Sequence, residues 1–243
     1  MDHNLDAEEP DMEIITDNSD QSIIEDSLDT SCLPDEPIAA DQFEKILALF
    51  FLKMQALDEF HLLMTVNIEF QWYQRLDAIS TKIIKRFEKV RSSHNENGSS
   101  LEQYFNLLDT ENPTSFSRGK ALISISILLG EKISQFSRIF EDGTSTAALR
   151  TSDPMNGATI AVINSDKPRF FILAENEIVQ DNLRTFEEAI MYVFVYHYIL
   201  NLQFCAPYML EFCQRAIVQA GWSDNHNSKI SRRVNSLIKI LDL

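Results

Sequence analysis

A stretch of chain around residue 190 constrains the fold more than any other feature, because it is apolar on every side of a helix. Large apolar side chains fill residues 185–202, and Thr185 with Glu188 gives a capping-box signal at the start of this helix. A helix without a polar face must be covered on at least two sides. We therefore expect it at the centre of the fold, covered by helices predicted over 207–220 and 228–241.

The same apolar stretch does not predict a membrane span. From Ala189 to Cys205 it has 17 residues and contains three polar side chains, His197, Asn201 and Gln203. A bilayer span needs about 20 predominantly apolar residues. We therefore interpret the stretch as a buried core helix and expect no membrane association.

Charge is distributed unevenly along the chain. Of the 37 acidic residues, 14 lie within residues 1–41, which contain no Lys or Arg, whereas the remainder of the chain carries 23 acidic and 21 basic residues. Residues 1–40 have too little apolar surface to offset the entropy of ordering, and we predict a disordered acidic tail. This tail and a nearly neutral body disfavour direct nucleic-acid binding.

Short apolar pairs interrupt the acidic tail and give it a candidate binding role. Alternating acidic and apolar residues are typical of disordered peptides that dock onto protein partners, where an extended segment can add a strand to a sheet edge. The candidate contact residues are Ile14, Ile15, Ile23 and Ile24. The alternative is a tail that only keeps the protein soluble.

Residues 41–92 predict a helical hairpin whose second helix, over 65–92, is apolar along one side. This stripe consists of Ile68, Trp72, Leu76, Ile79, Ile83, Phe87 and Val90. It can pack on the body of the protein or pair with another chain as a coiled coil. Intramolecular packing is the first interpretation. A homodimer through the 65–92 helix is the alternative, with Trp72 and Phe87 as candidate partner contacts.

A polar linker, residues 93–100, separates the hairpin from a helical domain over 101–243. Within that domain, residues 158–163 and 169–173 alternate as strands do and flank a five-residue connection, which predicts a strand pair. The predicted fold class is therefore mainly α with a small antiparallel β-hairpin near 158–173, an α+β body behind the disordered acidic tail.

Residues 120–140 give two conflicting signals. Ile123, Ile125 and Ile127 alternate with serines, as in a half-buried strand, whereas the apolar residues over 133–140 follow helical spacing. Residues 143–157 have the composition of a loop. The sequence alone does not decide whether residues 120–140 form a strand or a helix.

Residues that could carry catalysis are few and scattered. The histidines stand apart from one another and from the three cysteines, and the chain has no glycine-rich phosphate loop, so we expect no metal and no cofactor. Glu175, Glu177 and Asp181 beyond a predicted strand, with His197 on the central helix, are the candidates for a dispersed acid–base site. A solvated loop and a hydrogen-bonded core histidine explain them more simply, and we predict no enzyme.

A basic run near the end of the chain is the main candidate for phosphate contacts. The helix predicted over 228–241 carries Lys229, Arg232, Arg233 and Lys239 on its outer side. No exposed aromatic residues are interleaved with them, as nucleic-acid-binding surfaces often require. Helix-dipole complementarity and solubility are therefore the preferred explanation.

Three segments resemble a known group of proteins. FILAENEIV at 171–179 with YILNLQF at 198–204, and less specifically FLKMQAL at 51–57, resemble uncharacterised animal proteins. Some of those are related to sterile-alpha-motif-domain proteins, others to zinc-finger proteins, and many derive from mobile elements. The resemblance covers a helical module and implies no activity, since it includes neither a sterile alpha motif nor a zinc finger.

The sequence thus predicts a non-enzymatic intracellular protein-interaction module. The cysteines form no disulfide framework, and the N-terminal residues lack the basic and apolar regions of a signal peptide, so we expect the nucleus or the cytoplasm. The alternatives are a nuclear DNA-associated regulator of mobile-element origin and a hydrolase with a dispersed site.

Overall fold

The computed structural model describes residues 55–91, 99–150, 157–219 and 231–243, all within the unit Ala40–Leu243. The helices are α1 (55–64), α2 (Ile68–Arg91), α3 (Ser99–Leu108), α4 (Pro113–Leu128), α5 (Thr146–Arg150), α6 (Phe186–Ile199), α7 (Pro207–Phe212, continued by a π-helical turn at Cys213–Val218) and α8 (Arg232–Leu241). The strands are β1 (Ser137–Glu141), β2 (Ala158–Asn164), β3 (Arg169–Ala174) and β4 (Glu177–Leu183). The described fold is mostly helical.

The strands form one mixed sheet of four strands in the order β1-β2-β3-β4. The predicted hairpin is present as β2 and β3, with Ala158 opposite Ala174. The prediction of a hairpin alone is wrong, because β4 adds an antiparallel strand and β1 pairs parallel to β2, with Ser137 opposite Ile160. The chain that connects the parallel strands β1 and β2 contains helix α5. The prediction of a loop over residues 143–157 is therefore wrong for that helix.

Both faces of the sheet are covered, which explains why β2 is buried along most of its length. Ile160 and Val162 belong to the main core with α6, whereas Ala161 and Ile163 belong to a smaller core with Leu149 of α5. Successive side chains of a strand point to opposite faces. A strand between two apolar layers therefore needs apolar residues at consecutive positions.

The central helix predicted over 185–202 is confirmed as α6, with Thr185 as its N-cap. It lies between the sheet and the helical layer. Phe194 is fully buried and contacts the rings of Phe60, Trp72 and Tyr198 at centroid distances of 5.8, 6.0 and 4.8 Å. The contact with Trp72 joins α6 directly to α2.

The apolar stripe of the 65–92 helix faces the same core. In α2, the six stripe residues from Ile68 to Phe87 are buried. α2 packs against α4, the π-helical turn and α8. Residues 1–54, 92–98, 151–156 and 220–230 lie outside the described residues. The acidic tail, the first part of the predicted hairpin and most of the predicted linker fall within them.

The structure contradicts both of the patterns found within residues 120–140. Ile123, Ile125 and Ile127 lie in helix α4, not in a strand, and residues 137–141, within the stretch with helical spacing, form strand β1 after a short 3-10 turn. In α4 the Ser124 and Ser126 hydroxyls donate to the carbonyl oxygens of Lys120 and Ile123 at 2.7 and 2.8 Å. Because helix carbonyls satisfy these hydroxyls, serine can be buried there.

Glutamates from other elements cap the N-termini of three later helices. Glu111, in the turn before α4, accepts from Phe186 N of α6 at 2.8 Å. Glu131, in the turn after α4, accepts from Tyr208 N and Met209 N of α7, both at 2.8 Å. Glu211 of α7 accepts from the N-cap nitrogen of α8, Ser231 N, at 2.9 Å. Each carboxylate satisfies N–H groups that the helix itself leaves unpaired.

Candidate functional site

A groove of about 720 Å³ lies where α2, α4 and α8 meet beside the start of α3. Its apolar lining combines side chains from all four helices: Phe87, Val90, Leu101, Ile127, Leu128, Leu129, Leu237 and Ile240. Phe87 is buried in the base, whereas 55% of Ile240 is exposed at the rim. We call this feature the arginine groove, because Arg86, Arg91, Arg232 and Arg233 complete its lining together with Gly130 and Ser236.

Two of the four arginines have partners within the fold. Arg91 pairs with Glu102 at 3.6 Å and lies over the Phe105 ring at 6.0 Å. Arg233 donates to Leu129 O at 3.3 Å and lies over the Tyr208 ring at 5.2 Å. These contacts fix both side chains at the walls of the arginine groove.

The positive charges of the other two arginines have no acidic partner among the described residues. Arg86 of α2 is half-buried and Arg232 of α8 is exposed. Neither forms an ion pair or a side-chain hydrogen bond with any residue that the structure describes. Among the residues that the structure describes, the lining also contains no Asp or Glu. The arginine groove is therefore an apolar surface with a net positive rim in a chain of net charge -16.

The position of Arg232 and Arg233 in α8 corrects the expectation of helix-dipole complementarity. Both lie in the first turn of α8, after the N-cap Ser231, and only Lys239 lies in the last turn. The N-terminus of a helix carries partial positive charge, so a cation there is unfavourable. Dipole complementarity accounts for Lys239 and leaves the two arginines at the arginine groove unexplained.

A second, polar pocket of about 590 Å³ lies at the N-terminus of α6. It is lined by Tyr73, Ser115, Arg118, Arg184, Thr185, Glu187 and Glu188. The Arg118 guanidinium is held by two hydrogen bonds to Asp77, each of 2.7 Å, and lies 4.7 Å from the centre of the Tyr73 ring. This arrangement occupies the Arg118 guanidinium, one of the two cations that line the pocket, with internal contacts.

Glu187, which lines this polar pocket, has a second carboxyl group beside it, that of Glu111. Burial, together with the nearby Glu187 carboxyl, raises the pKa of Glu111 to about 8. Burial also raises the pKa of Glu187, which is 1% exposed. Within the described part of the chain, Oε2 of each residue has no hydrogen-bond partner. The raised pKa keeps Glu111 protonated at neutral pH, and Glu187 presents almost no surface to a substrate.

His197 forms a separate buried contact with Cys205. The distance from His197 Nε2 to Cys205 Sγ is 3.4 Å, and the thiol lies 3.3 Å from Ala158 O. Burial lowers the pKa of His197 to about 4 and raises the pKa of the Cys205 thiol to about 12. Both groups are therefore neutral at physiological pH, whereas a reactive cysteine needs its thiolate.

The candidates for a dispersed acid–base site do not converge. Glu175 and Glu177 are exposed around the β3–β4 turn, Asp181 is exposed on β4, and His197 is buried on α6. None of the four lines the arginine groove or the polar pocket. Among the described residues, no group of three or more His, Cys, Asp or Glu side chains is placed to hold a metal ion.

The candidate partner contacts fall in different places. Ile14, Ile15, Ile23 and Ile24 lie outside the described residues. Trp72 is fully buried and Phe87 is 2% exposed, so α2 uses its stripe within its own chain. A homodimer through this stripe would require α2 to leave the core. Only Phe87 reaches the arginine groove, at its base.

Sequence reasoning missed Arg86, and it named Arg232 only as one member of the basic run on the last helix. The available signal was basic charge in the first turn of the last helix, a position that helices normally give to acidic residues. Arg86 could not be added from the sequence, because it faces the groove only through the packing of α2 against α8.

Comparison with protein-family models, curated proteins and solved structures finds no match to this chain. Among the helices that the structure describes, none combines the length and hydropathy that a bilayer span requires.

Proposed function

We propose that this chain is a non-enzymatic protein-interaction module that binds a segment of a partner protein in the arginine groove. The observation that carries the proposal is the combination of a partly exposed apolar lining with arginines and, among the described residues, no acidic side chain. The segment supplies large apolar side chains to the lining and carboxylates to the rim. Its binding covers apolar surface that is otherwise left in water.

The apolar lining supports a protein partner rather than a nucleic acid. Side chains such as Leu101, Ile127 and Ile240 gain free energy by leaving water, at roughly 25 cal/mol per Å² of buried apolar surface. A phosphate backbone offers charge but no apolar side chains to cover them. The DNA-associated regulator is the second candidate, and it rests on the same four arginines.

A hydrolase has less support from the geometry. The carboxyl pair Glu111–Glu187 is buried, and the Cys205 thiol is neutral beside a neutral His197. An accessible nucleophile with an adjacent general base is the minimum for covalent hydrolysis. Neither described pocket offers that combination.

Site-directed photo-cross-linking tests the proposal directly. A photoreactive phenylalanine analogue replaces Ser236, which is exposed in the lining of the arginine groove, and in a control protein replaces exposed Asn164 at the end of β2. The full chain is expressed in cells, irradiated, and its adducts are identified by mass spectrometry. We expect protein adducts from position 236 that position 164 does not give.

A pair of matched apolar variants completes this test. Ile240→Ser removes an exposed apolar side chain from the arginine groove, and Leu200→Ser removes one outside it, since Leu200 is 43% exposed at the end of α6. We expect the adducts at position 236 to be lost with Ile240→Ser and retained with Leu200→Ser. Adducts that survive Ile240→Ser, or cross-linking to nucleic acid in place of protein, contradict the proposal.

A further inference from the structure

We propose that the occupant of the arginine groove is a single amphipathic helix with acidic residues on both sides of its apolar stripe, and that Arg86 and Arg232 select it by charge. This inference rests on the proposed function and adds the conformation of the partner and the two residues that determine specificity. Arg91 and Arg233 hold the walls of the arginine groove in place and do not discriminate between partners.

The assignment of two arginines to recognition follows from their contacts. Arg91 is engaged by Glu102 and Arg233 by Leu129 O, so an incoming carboxylate would compete with existing partners for them. Arg86 and Arg232 have no such competitor among the described residues. They lie on different walls, α2 and α8, so carboxylates are needed on both sides of the occupant.

The walls of the arginine groove favour a helix over an extended segment. The described lining comes from helices and the turn at Gly130, and it offers no strand edge to pair with a peptide backbone. A helix satisfies its own backbone groups, whereas an extended segment would leave half of its own unpaired. In a strand, acidic residues that alternate with apolar ones also point away from the groove.

The placement of Arg232 supports selection for an anionic ligand. In the first turn of α8 its charge opposes the helix dipole, and nothing within the described fold compensates for it. A carboxylate from a bound helix meets both the guanidinium and the positive end of α8. The unfavourable position in the free chain becomes favourable in the complex.

A peptide selection tests the charge rule without knowledge of the natural partner. The probe is a phage-display library of helical peptides with a fixed Leu and Ile stripe, in which all flanking positions vary among Glu, Gln and Lys. The full chain is used as bait. We expect Glu to be enriched on both sides of the stripe. With Arg86→Glu as bait, the preference changes to Lys on one side, and with Arg232→Glu it changes on the other.

Two further variants test whether the effect is specific to the charge of Arg86 and Arg232. Arg169→Glu reverses an exposed arginine at the start of β3, away from the arginine groove, and should select the same peptides as the wild type. Arg86→Gln removes the charge of the half-buried Arg86 without adding a new one, and should lower the affinity for the selected Glu peptide about tenfold at low salt. That loss should shrink as salt screens the interaction.

The outcomes separate the two proposals. Enriched peptides with no charge preference at the flanks, or the same shift of preference with Arg169→Glu, refute the charge rule and leave the interaction module standing. Failure to enrich any peptide above a bait of unrelated fold contradicts both. Enrichment that responds to Arg86→Glu and Arg232→Glu on opposite sides supports both.

Discussion

Glu131 accepts a 2.8 Å hydrogen bond from the backbone N–H of Met209, 78 positions later in the chain. Its second carboxylate oxygen accepts from Tyr208 N at the same distance. Glu131, in the turn after α4, thereby caps the first turn of α7, in which Pro207 has no N–H to donate. Burial raises the pKa of Glu131, and the two N–H donors and the nearby Arg233 act in the opposite direction.

Removal of this carboxylate should weaken the fold. Glu131→Ala leaves two backbone donors of α7 without an acceptor, and we expect the free energy of unfolding to fall by about 2–4 kcal/mol. Glu141→Ala, at the exposed end of β1, is the matched control and should change it by less than about 0.5 kcal/mol. Urea titrations followed by circular dichroism measure both. Equal effects would show that water replaces the carboxylate cap.

Gly157 and Gly143 allow strain and steric overlap to be separated. Both have positive φ, 78° and 80°, so an alanine at either position is strained by about 1 kcal/mol or more. A Cβ at Gly143 meets nothing within 4 Å, whereas a Cβ at Gly157 overlaps the His197 ring and the Gln203 carbonyl oxygen. We expect Gly157→Ala to cost about 2 kcal/mol more than Gly143→Ala in thermal unfolding. Similar losses would contradict the close approach of the chain to His197.

The carboxyl pair at α6 should make stability depend on pH. The pKa of Glu111 is about 8 in the fold against an ordinary 4.5, so its contribution to stability is complete below pH 4.5 and is lost as pH rises to about 8. Glu111→Gln keeps an acceptor for Phe186 N and gives Glu187 an N–H donor. We expect it to stabilise the chain on the order of 1 kcal/mol near pH 9 and little near pH 5.

Melting temperatures of the wild type and Glu111→Gln across this pH range provide the measurement. Glu102→Gln, an exposed substitution on α3, is the control and should follow the wild-type curve. Parallel curves for the wild type and Glu111→Gln would mean that the pair is ionised in the fold. Such a result would contradict the raised pKa of Glu111.

Arg232 should lower the stability of the free chain, although we propose that it contributes to binding. Arg232→Glu places an acidic side chain in the first turn of α8 and should stabilise the chain by about 0.5–1 kcal/mol at low salt. Lys239→Glu, in the last turn of the same helix, should destabilise it by a similar amount. Differential scanning calorimetry at two salt concentrations measures both effects. A loss of stability with Arg232→Glu would indicate a structural partner for this arginine.

The helices that were predicted best are those whose packing follows from local periodicity. The stripe from Ile68 to Phe87 places its residues on one side of α2, and the all-round apolar composition of α6 required a central position. Both conclusions depend only on 3.6-residue geometry and burial. They hold because tertiary contacts reinforce the local preference.

Strand β4 was missed because its turn and its sequence carry weak signals. The β3–β4 turn places Glu175 and Asn176 at φ 51° and 66°, a conformation that hairpins usually reach with Asn-Gly or Asp-Gly. β4 itself carries Gln180 and Asp181, and its pairing with β3 is irregular. The arginine groove was beyond sequence reasoning for a different reason. Its lining comes from four helices that only the folded chain brings together.

Capping by distant glutamates has a consequence for amide hydrogen exchange. A helix of six residues such as α7 would fray rapidly in isolation, because so short a segment cannot offset its own nucleation. The amide protons of Tyr208 and Met209 instead point at Glu131, and the Phe186 amide points at Glu111. Those two carboxylates flank α4, one at each end. The first turns of α6 and α7 should therefore exchange only when α4 undocks, which makes local fraying and loss of the whole core a single event.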